Sequence, residues 1–177
     1  IGAYTLEISP KQVRITALDK EGFLYGLVSL IQLGLHNQPS GLGATTLSIP
    51  CWQIKDQPNY GWRGIMLDES RHFFGKAQVE KLLTWMAYYK LNKFHWHLTD
   101  EPGWRLQIKA YPKLTTIGGI GNKTNATAPA RYYTQTEIKE VIAYATALGI
   151  TVIPEIGMPG HGTAANRAYP ENSGGGT

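Results

Sequence analysis

The sequence has a single cysteine, Cys51, so no disulfide can form within the chain. It has no apolar run long enough to span a membrane. Its 17 Lys and Arg residues outnumber its 13 Asp and Glu residues, but they are spread along the chain and form no basic tract of the kind that binds nucleic acid. It also lacks a glycine-rich dinucleotide or phosphate motif after a predicted parallel strand, which disfavours the nucleotide-binding sheets.

The first third of the chain shows the pattern of a small α+β module. Hydrophobic residues make up 42% of the sequence and charged residues 17%, which is the balance of a folded chain rather than a disordered one. The pattern predicts strands over 4–8 and 12–17 and extended chain over 46–58. Between them, residues 19–34 predict a helix whose apolar face carries four residues: Leu24, Leu27, Val28 and Ile31.

A Pro-Asn pair then ends the module, and it predicts a domain boundary between residues 1–59 and residues 60–177.

The second domain alternates strands with helices. Strands are predicted over 63–68, 93–100 and 150–161, and amphipathic helices over 76–90 and 134–149. Thr134 and Glu137 predict a capping box at the start of the second helix. This alternation predicts an α/β fold with a parallel sheet, either doubly wound or closed into a (β/α)8 barrel.

Polar residues gather where all three predicted strands of the second domain end. They are Asp68 to His72, then His97, Asp100 and Glu101, then Glu155 and His161. Both fold types place their active sites at this end of the strands, and the lack of a nucleotide motif favours the barrel. A full barrel takes about 250 residues. The 116 residues from Trp62 to Thr177 hold three of eight strands, and the chain opens without Met or a signal-peptide pattern, so we expect part of a larger enzyme.

The two histidines of "HWH", His95 and His97, point to the same side of their predicted strand, and Trp96 points to the other. One interpretation is a metal-ligating pair of the kind used by metal-dependent barrel hydrolases, with Asp100 or His161 as further ligands. The other is a hydrogen-bonded core histidine at position 95 and a polar histidine at position 97. We favour the second, because no third histidine falls at an evident partner spacing.

The Asp100–Glu101 pair has the residue types of acid–base catalysis. Adjacent residues in extended chain face opposite ways, so we predict a functional role for Asp100 and a solvated loop position for Glu101. Arg63 is either a salt-bridge residue or a bidentate clamp for adjacent hydroxyls or a carboxylate. His161 follows a Met-Pro-Gly turn at a strand end, a placement typical of functional histidines.

Three long motifs, in order over residues 60–170, strongly resemble glycoside hydrolase family 20, the β-N-acetylhexosaminidases. They are "GWRGIMLDESRHF", "YKLNKFHWHLTDEPGWRLQIKAYPKLT" and "YYTQTEIKEVIAYATALGITVIPEIGMPGHGTAANRAYP". The first module, with "YTLEIS" and "GFLYGLVSLIQL", is similar to the second half of the small α/β domain that precedes the barrel in that family. The resemblance implies a partial (β/α)8 TIM barrel, of which this chain holds the first three strands.

The resemblance also implies a glycosidase that needs no metal and no cofactor. It would release terminal β-linked N-acetylglucosamine or N-acetylgalactosamine from an oligosaccharide, chitin fragment or glycoconjugate, with retention. The substrate's acetamido oxygen attacks the anomeric carbon to form an oxazolinium ion, an Asp orients that group, and the adjacent Glu acts as general acid and base. In the family this Asp-Glu pair follows the fourth barrel strand, so we expect it in the remaining part of the same enzyme. A homodimer and a secreted, periplasmic or lysosome-like location are expected by the same resemblance, and no nucleic-acid partner.

Carried over position by position, Arg63 matches the arginine that holds the O3 and O4 hydroxyls of the sugar. Asp100 and His161 match an Asp and a His that lie behind the general acid. Three residues match supporting positions: Asp68, His97 and Glu155. Gly157 stands where the family usually has an acid. Two other interpretations stay open, namely an inert fragment that binds amino sugars, favoured by the missing acid pair, and the metal-dependent hydrolase that uses the histidine pair.

Overall fold

The computed structural model describes residues 1–37 and 48–173, and these form two compact units. The first unit runs from Ile1 to Arg63 and includes Ala87–Lys90, and the second holds Gly64–Met86 and the residues from Leu91 onward. The predicted boundary between residues 59 and 60 stays a prediction. Two residues of the predicted extended segment, 46 and 47, lie outside the described residues. Within the described ranges, no helix is both long and apolar enough to cross a membrane.

A three-stranded antiparallel sheet and one long helix make up the first unit. The elements are β1 (Tyr4–Ile8), β2 (Val13–Ala17), α1 (Lys20–His36) and β3 (Gln53–Asp56), with the strand order β2-β1-β3. Tyr4, Leu6 and Ile8 are buried as predicted, because alternate residues of a strand point to the same face. Helix α1 begins after Asp19, whose side chain accepts the backbone N–H of Gly22 at 2.7 Å.

The buried face of α1 differs from the predicted one. Leu27 and Ile31 are 40% and 48% exposed. The buried positions are mostly small residues: Gly22, Tyr25, Gly26, Ser29 and Gly34. A Cβ atom on Gly26 would lie 2.6 Å from Cγ2 of Ile15, so the helix approaches the sheet through its glycines. The predicted apolar face was therefore wrong for Leu27 and Ile31, whereas Leu24 and Val28 are half-buried.

Three parallel strands joined by helical connections form the second unit. The elements are β4 (Gly64–Asp68), α2 (Lys76–Tyr88), β5 (Lys93–His97), β6 (Thr99–Asp100), β7 (Gly103–Trp104), α3 (Lys113–Thr116), α4 (Gln135–Ala147), β8 (Thr151–Glu155), α5 (Thr163–Ala168) and a 3₁₀ turn (Pro170–Asn172). The parallel sheet has the order β4-β5-β8. The alternation of strands and helices therefore forms the predicted α/β fold.

The core of the second unit lies on one face of the parallel sheet. Phe94 and Trp96 of β5 are fully buried, and the indole ring of Trp96 lies 4.8 Å from the Tyr133 ring between centroids. Helices α2 and α4 contribute five further buried residues: Val79, Leu83, Met86, Val141 and Ala145. The His95 side chain, which projects from the other face of β5, is 40% exposed. The polar side chains of β5 therefore lie on the opposite face of the parallel sheet from the core.

Two predicted strands are shorter in the structure. The segment predicted over 93–100 breaks after His97, because Thr99–Asp100 turns away to pair antiparallel with Gly103–Trp104 as the β6–β7 hairpin. The segment predicted over 150–161 ends at Glu155, and the backbone N–H of Gly157 donates instead to Oγ1 of Thr99 at 2.9 Å. These breaks place the residues after each strand in loops at the carboxyl edge of the sheet.

The capping box predicted for the second helix is confirmed. Oγ1 of Thr134 accepts the backbone N–H of Glu137, and the Glu137 carboxylate accepts the backbone N–H of Thr134 at 2.8 Å. Just beyond the last helical residue, Gly149 adopts φ +72°, a left-handed conformation that glycine adopts without steric cost. Both ends of α4 were therefore readable from local sequence.

Candidate active site

The parallel register places one polar side chain from each strand in a row at the carboxyl edge of the sheet. Asp68 of β4 pairs with His97 of β5, and His97 pairs with Glu155 of β8. Nδ1 of His97 lies 3.2 Å from Oδ1 of Asp68, and its Nε2 lies 4.0 Å from Oε1 of Glu155. The three residues predicted to support a site are therefore neighbours.

Asp100 joins this row from the β6–β7 hairpin. Its side chain is 3% exposed, and its Oδ2 lies 3.4 Å from Nε2 of His97. Its Oδ1 accepts the backbone N–H of Glu101 at 2.6 Å and lies 3.3 Å from Nδ1 of His161. The structure thus brings together Asp100 and His161, which were expected to act as a pair. Asp100 is therefore a buried carboxylate in contact with two imidazole rings.

The loop after β8 presents His161 to the cluster. His161 has φ +55°, a left-handed conformation that is uncommon for a residue other than glycine and that recurs at functional sites. In the same loop, a Cβ atom on Gly157 would meet nothing closer than the backbone oxygen of Gly160 at 3.7 Å. The loop therefore has room for a side chain at the position where the resemblance leads us to expect an acid.

Arg71 completes the cluster, and it is the residue that the sequence interpretation did not select. It follows β4 by three residues, its Nη1 donates to Oδ2 of Asp68 at 2.5 Å, and its Nη2 lies 2.8 Å from Oδ2 of Asp100. Burial raises the pKa of Asp68, but the backbone N–H and guanidinium of Arg71, together with His97, outweigh burial and lower this pKa below its ordinary value. The hydrogen bond to Asp68 in turn raises the pKa of Arg71. The available signal was its position directly after a strand end.

Arg63, predicted to clamp sugar hydroxyls, lies in a different environment. It precedes the first residue of β4, at the opposite end of that strand from Asp68. Its guanidinium donates to the backbone oxygens of Tyr60 and Lys90 at 2.6 and 2.8 Å and to the hydroxyl of Tyr25 at 2.6 Å. The role of Arg63 as a clamp stays a prediction, and Arg71 is the arginine that the polar cluster itself contains.

A buried carboxylate directly after β4 shapes the turn that carries Arg71. The Glu69 side chain is fully buried, its Oε1 accepts the hydroxyl of Tyr133 at 2.6 Å, and its Oε2 accepts the backbone N–H of Phe74 at 2.7 Å. Burial raises the pKa of Glu69, although these hydrogen bonds oppose the shift. Burial likewise raises the pKa of Tyr133. Because 64 residues separate Glu69 from Tyr133, no local pattern could have indicated this pair.

The two histidines of β5 do not form the metal pair that was considered above. Nε2 of His95 lies 2.6 Å from Oε2 of Glu155, whereas His97 contacts Asp68 and Asp100. In the part of the chain that the structure describes, no group of three or more His, Cys, Asp or Glu side chains is arranged to hold a metal ion. The arrangement is instead a network of acid–base pairs.

The strands and this network define an α/β protein with an acid–base cluster at the carboxyl edge of a parallel sheet. Comparison with known families is more specific. Residues 60–175 match the model of the glycosyl hydrolase family 20 catalytic domain, and residues 1–57 match that of the family's domain 2. The chain therefore belongs to glycosyl hydrolase family 20, as its motifs led us to expect.

Individual relatives agree with this assignment. A β-hexosaminidase of Akkermansia muciniphila is 44% identical over 96% of this chain, and the N,N'-diacetylchitobiase of Vibrio harveyi is 36% identical over 93%. The crystal structure of an exo-β-N-acetylglucosaminidase from Vibrio harveyi in complex with N-acetylglucosamine matches 96% of the chain with a TM-score of 0.88 and 41% identity. The chain spans 34% of the Akkermansia protein and 27% of the Vibrio structure, so it corresponds to about a third of such proteins. These relatives favour the glycosidase over both alternatives left open by the sequence.

Proposed function

We propose that the whole protein containing this chain is a β-N-acetylhexosaminidase. It hydrolyses terminal β-linked N-acetylglucosamine or N-acetylgalactosamine residues with retention of configuration. The observation that carries the proposal is the Arg71–Asp100–His161 arrangement at the carboxyl edge of the sheet, in a chain of a glycosidase family. The named relatives include β-hexosaminidases and a diacetylchitobiase, so the substrate class is an oligosaccharide or glycoconjugate ending in an N-acetylhexosamine.

The parallel sheet is proposed to be the first part of a (β/α)8 barrel. Its strand order, β4-β5-β8, makes consecutive parallel strands neighbours, as a barrel requires. One face is packed, whereas the other leaves Met66 54% exposed and carries His95 and the polar row. An apolar side chain beside polar ones is what the inner face of an incomplete barrel would expose. The antiparallel unit would then belong to the small domain that precedes it.

In this mechanism the substrate's acetamido oxygen is the nucleophile, and a second part of the enzyme supplies the Asp-Glu pair that orients it and acts as general acid and base. This chain contributes residues that surround the Asp-Glu pair. Asp100, buried and 3.3 Å from Nδ1 of His161, orients that ring beside the position expected for the general acid. Arg71, with 40% of its side chain exposed and its guanidinium oriented by two carboxylates, is free at its outer edge to donate to sugar hydroxyls.

The test is hydrolysis of 4-nitrophenyl β-N-acetylglucosaminide by the whole protein, compared with the corresponding β-glucoside and α-anomer. The N-acetyl β-anomer should be cleaved and the other two should not, because only it carries the acetamido nucleophile on the correct face. The anomeric proton of the first product, followed by NMR, should show retention. Absence of 4-nitrophenol release, or equal cleavage of the β-glucoside, would contradict the proposal.

A homodimer and a secreted, periplasmic or lysosome-like location stay predictions.

A further inference from the structure

Arg105 is a fully buried cation that the mechanism above does not use. It follows β7, and only 1% of its surface is exposed, which is rare for arginine. A guanidinium has five N–H donors, and here all five donate to backbone carbonyl oxygens. The acceptors are the backbone oxygens of Glu69, Ser70, Gly119, Gly121 and Arg131, at 2.6 to 3.2 Å.

These acceptors lie on two segments: the residues directly before Arg71, and the loop between α3 and α4. Nε and Nη2 of Arg105 hold the carbonyl groups of Glu69 and Ser70, the two residues directly before Arg71. The other three bonds hold the loop between α3 and α4. That loop returns to Arg71 itself, since the backbone N–H of Lys123 donates to the carbonyl oxygen of Arg71 at 2.9 Å. Arg105 thus fixes the backbone directly before Arg71, and it also fixes the loop whose Lys123 N–H binds the Arg71 carbonyl oxygen.

The same guanidinium packs against the hairpin that carries Asp100. Gly103 pairs with Asp100 across β6 and β7, and a Cβ atom on Gly103 would lie 2.2 Å from Nη2 of Arg105. The carbonyl oxygen of Gly103 also accepts the hydroxyl of Ser70 at 2.7 Å. Arg105 therefore fills the space between the segment before Arg71 and the strand paired with Asp100, and Gly103 leaves just enough room for it.

A buried charge is costly, and an apolar side chain of similar volume would fill this space without that cost. Burial lowers the pKa of Arg105 to about 10, so the group is still a cation at neutral pH. Among the described residues, no carboxylate lies within ion-pair distance of it, so the five backbone carbonyl groups bind the cation directly, and the nearby charge of Glu69 also opposes the lowering of its pKa. What an arginine supplies here, and an apolar residue would not, is a rigid planar fork that sets the relative position of several backbone segments.

We propose that Arg105 is a positioning residue for the glycosidase reaction: it holds Arg71 at the distance and angle at which Arg71 meets both Asp100 and the substrate. The inference rests on the proposed function, in which Arg71 binds the sugar. Arg105 itself touches no substrate. Its effect on the reaction passes through Arg71.

The experiment is a double-mutant cycle in the whole protein with Arg105→Lys and Arg71→Ala, using Arg14→Lys, an exposed Arg-to-Lys change on β2, as the matched control. An ammonium has three donors in place of five and no planar fork, so at least two carbonyl groups lose their partner. Arg105→Lys alone should lower kcat/KM by on the order of 10- to 100-fold, as for a contact group displaced by about 1 Å. In the Arg71→Ala background the same change should have an effect smaller than about threefold, since coupled residues are not additive.

Equal losses from Arg105→Lys in both backgrounds would overturn the proposal, and so would an unchanged kcat/KM in the single variant. A merely structural role would lower the amount of folded protein without reproducing the division of the loss between KM and kcat that Arg71→Ala shows. If Arg105→Lys does not fold, Gly103→Ala replaces it in the cycle. Gly103 does not need a left-handed backbone, so its added Cβ acts by displacing the guanidinium.

A crystal structure of Arg105→Lys, or of Gly103→Ala, gives a readout that does not depend on hydrolysis. The distance from Nη2 of Arg71 to Oδ2 of Asp100, 2.8 Å here, should lengthen beyond hydrogen-bonding range. An unchanged distance would refute the positioning role even in an active enzyme. A lengthened distance in a protein that cleaves no N-acetylglucosaminide would refute the proposed function and leave the positioning of Arg71 intact.

Discussion

Replacing Arg71 with alanine tests the candidate site at the point where the structure and the sequence interpretation differ. The change removes the guanidinium whose Nη1 binds Asp68 and whose Nη2 contacts Asp100. Asp100 keeps the backbone N–H of Glu101 and the contacts with two histidine rings, so the cluster should stay folded. What is lost is a charged donor that two carboxylates hold in place and that stays 40% exposed.

The expected loss can be estimated from the type of contact. A sugar bound at the exposed side of Arg71 would bury this guanidinium, and truncating one partner of a buried, charged hydrogen-bond pair costs about 2–5 kcal/mol. At about 1.4 kcal/mol for each factor of ten, this corresponds to a fall of roughly 30- to 4,000-fold in kcat/KM. The assay is release of 4-nitrophenol from its β-N-acetylglucosaminide, measured in the whole protein at substrate concentrations far below KM.

The control is Arg63→Ala, because Arg63 was the arginine assigned to the sugar from the family resemblance. Its guanidinium donates hydrogen bonds to Tyr25, Tyr60 and Lys90, so its removal should cost about 2–4 kcal/mol of stability. In urea unfolding this appears as a lower midpoint, while kcat/KM of the folded fraction should stay close to that of the parent. The reverse result, a large loss of kcat/KM in Arg63→Ala with Arg71→Ala active, would refute the reasoning and restore the original assignment.

Four further predictions concern the cluster and its surroundings. Asp100→Asn should lower kcat by about 10- to 100-fold. His161→Ala should move one limb of the pH–rate profile, and an unmoved profile would contradict the argument that Asp100 and His161 act on the general acid. Burial raises the pKa of Glu69 in the folded state, so the stability contributed by its protonated form is lost as the pH rises through that raised value. Urea unfolding between about pH 4 and pH 8 should show this fall in the free energy of unfolding of the parent protein. Glu69→Gln should remove the fall. Dialysis against a chelator should leave kcat/KM unchanged, and a loss that added zinc reverses would instead support a metal site at His95 and His97.

Local sequence predicted the elements whose causes are local. The alternation of Tyr4, Leu6 and Ile8 predicted a half-buried strand, and the Thr134–Glu137 pair predicted a helix start that the structure confirms. Gly149 predicted the helix end for the same kind of reason, because the conformation it adopts is a property of one residue. Each of these features is decided within a few residues of chain.

Features that depend on two distant segments were missed or misplaced. The apolar face of α1 was predicted from its leucines, but the helix packs through Gly22 and Gly26, because what matters there is the closeness of the sheet. Arg71 was not selected, although it follows a strand end, and the assignment of Arg63 to the sugar stays a prediction. The hairpin after β5 brings Asp100 beside Arg71.

The sequence by itself determined the α/β class, the polar residues at the strand ends and, through its motifs, the family. These depend on periodicity and on runs of neighbouring residues, which are present in the one-dimensional chain. The tertiary structure alone decided that Arg71 contacts Asp100, that Glu69 and Tyr133 are partners, and that Arg105 joins the backbone before Arg71 to the loop between α3 and α4. Those relations join residues 14 to 64 positions apart, and only the folded backbone brings their donors and acceptors within hydrogen-bonding distance.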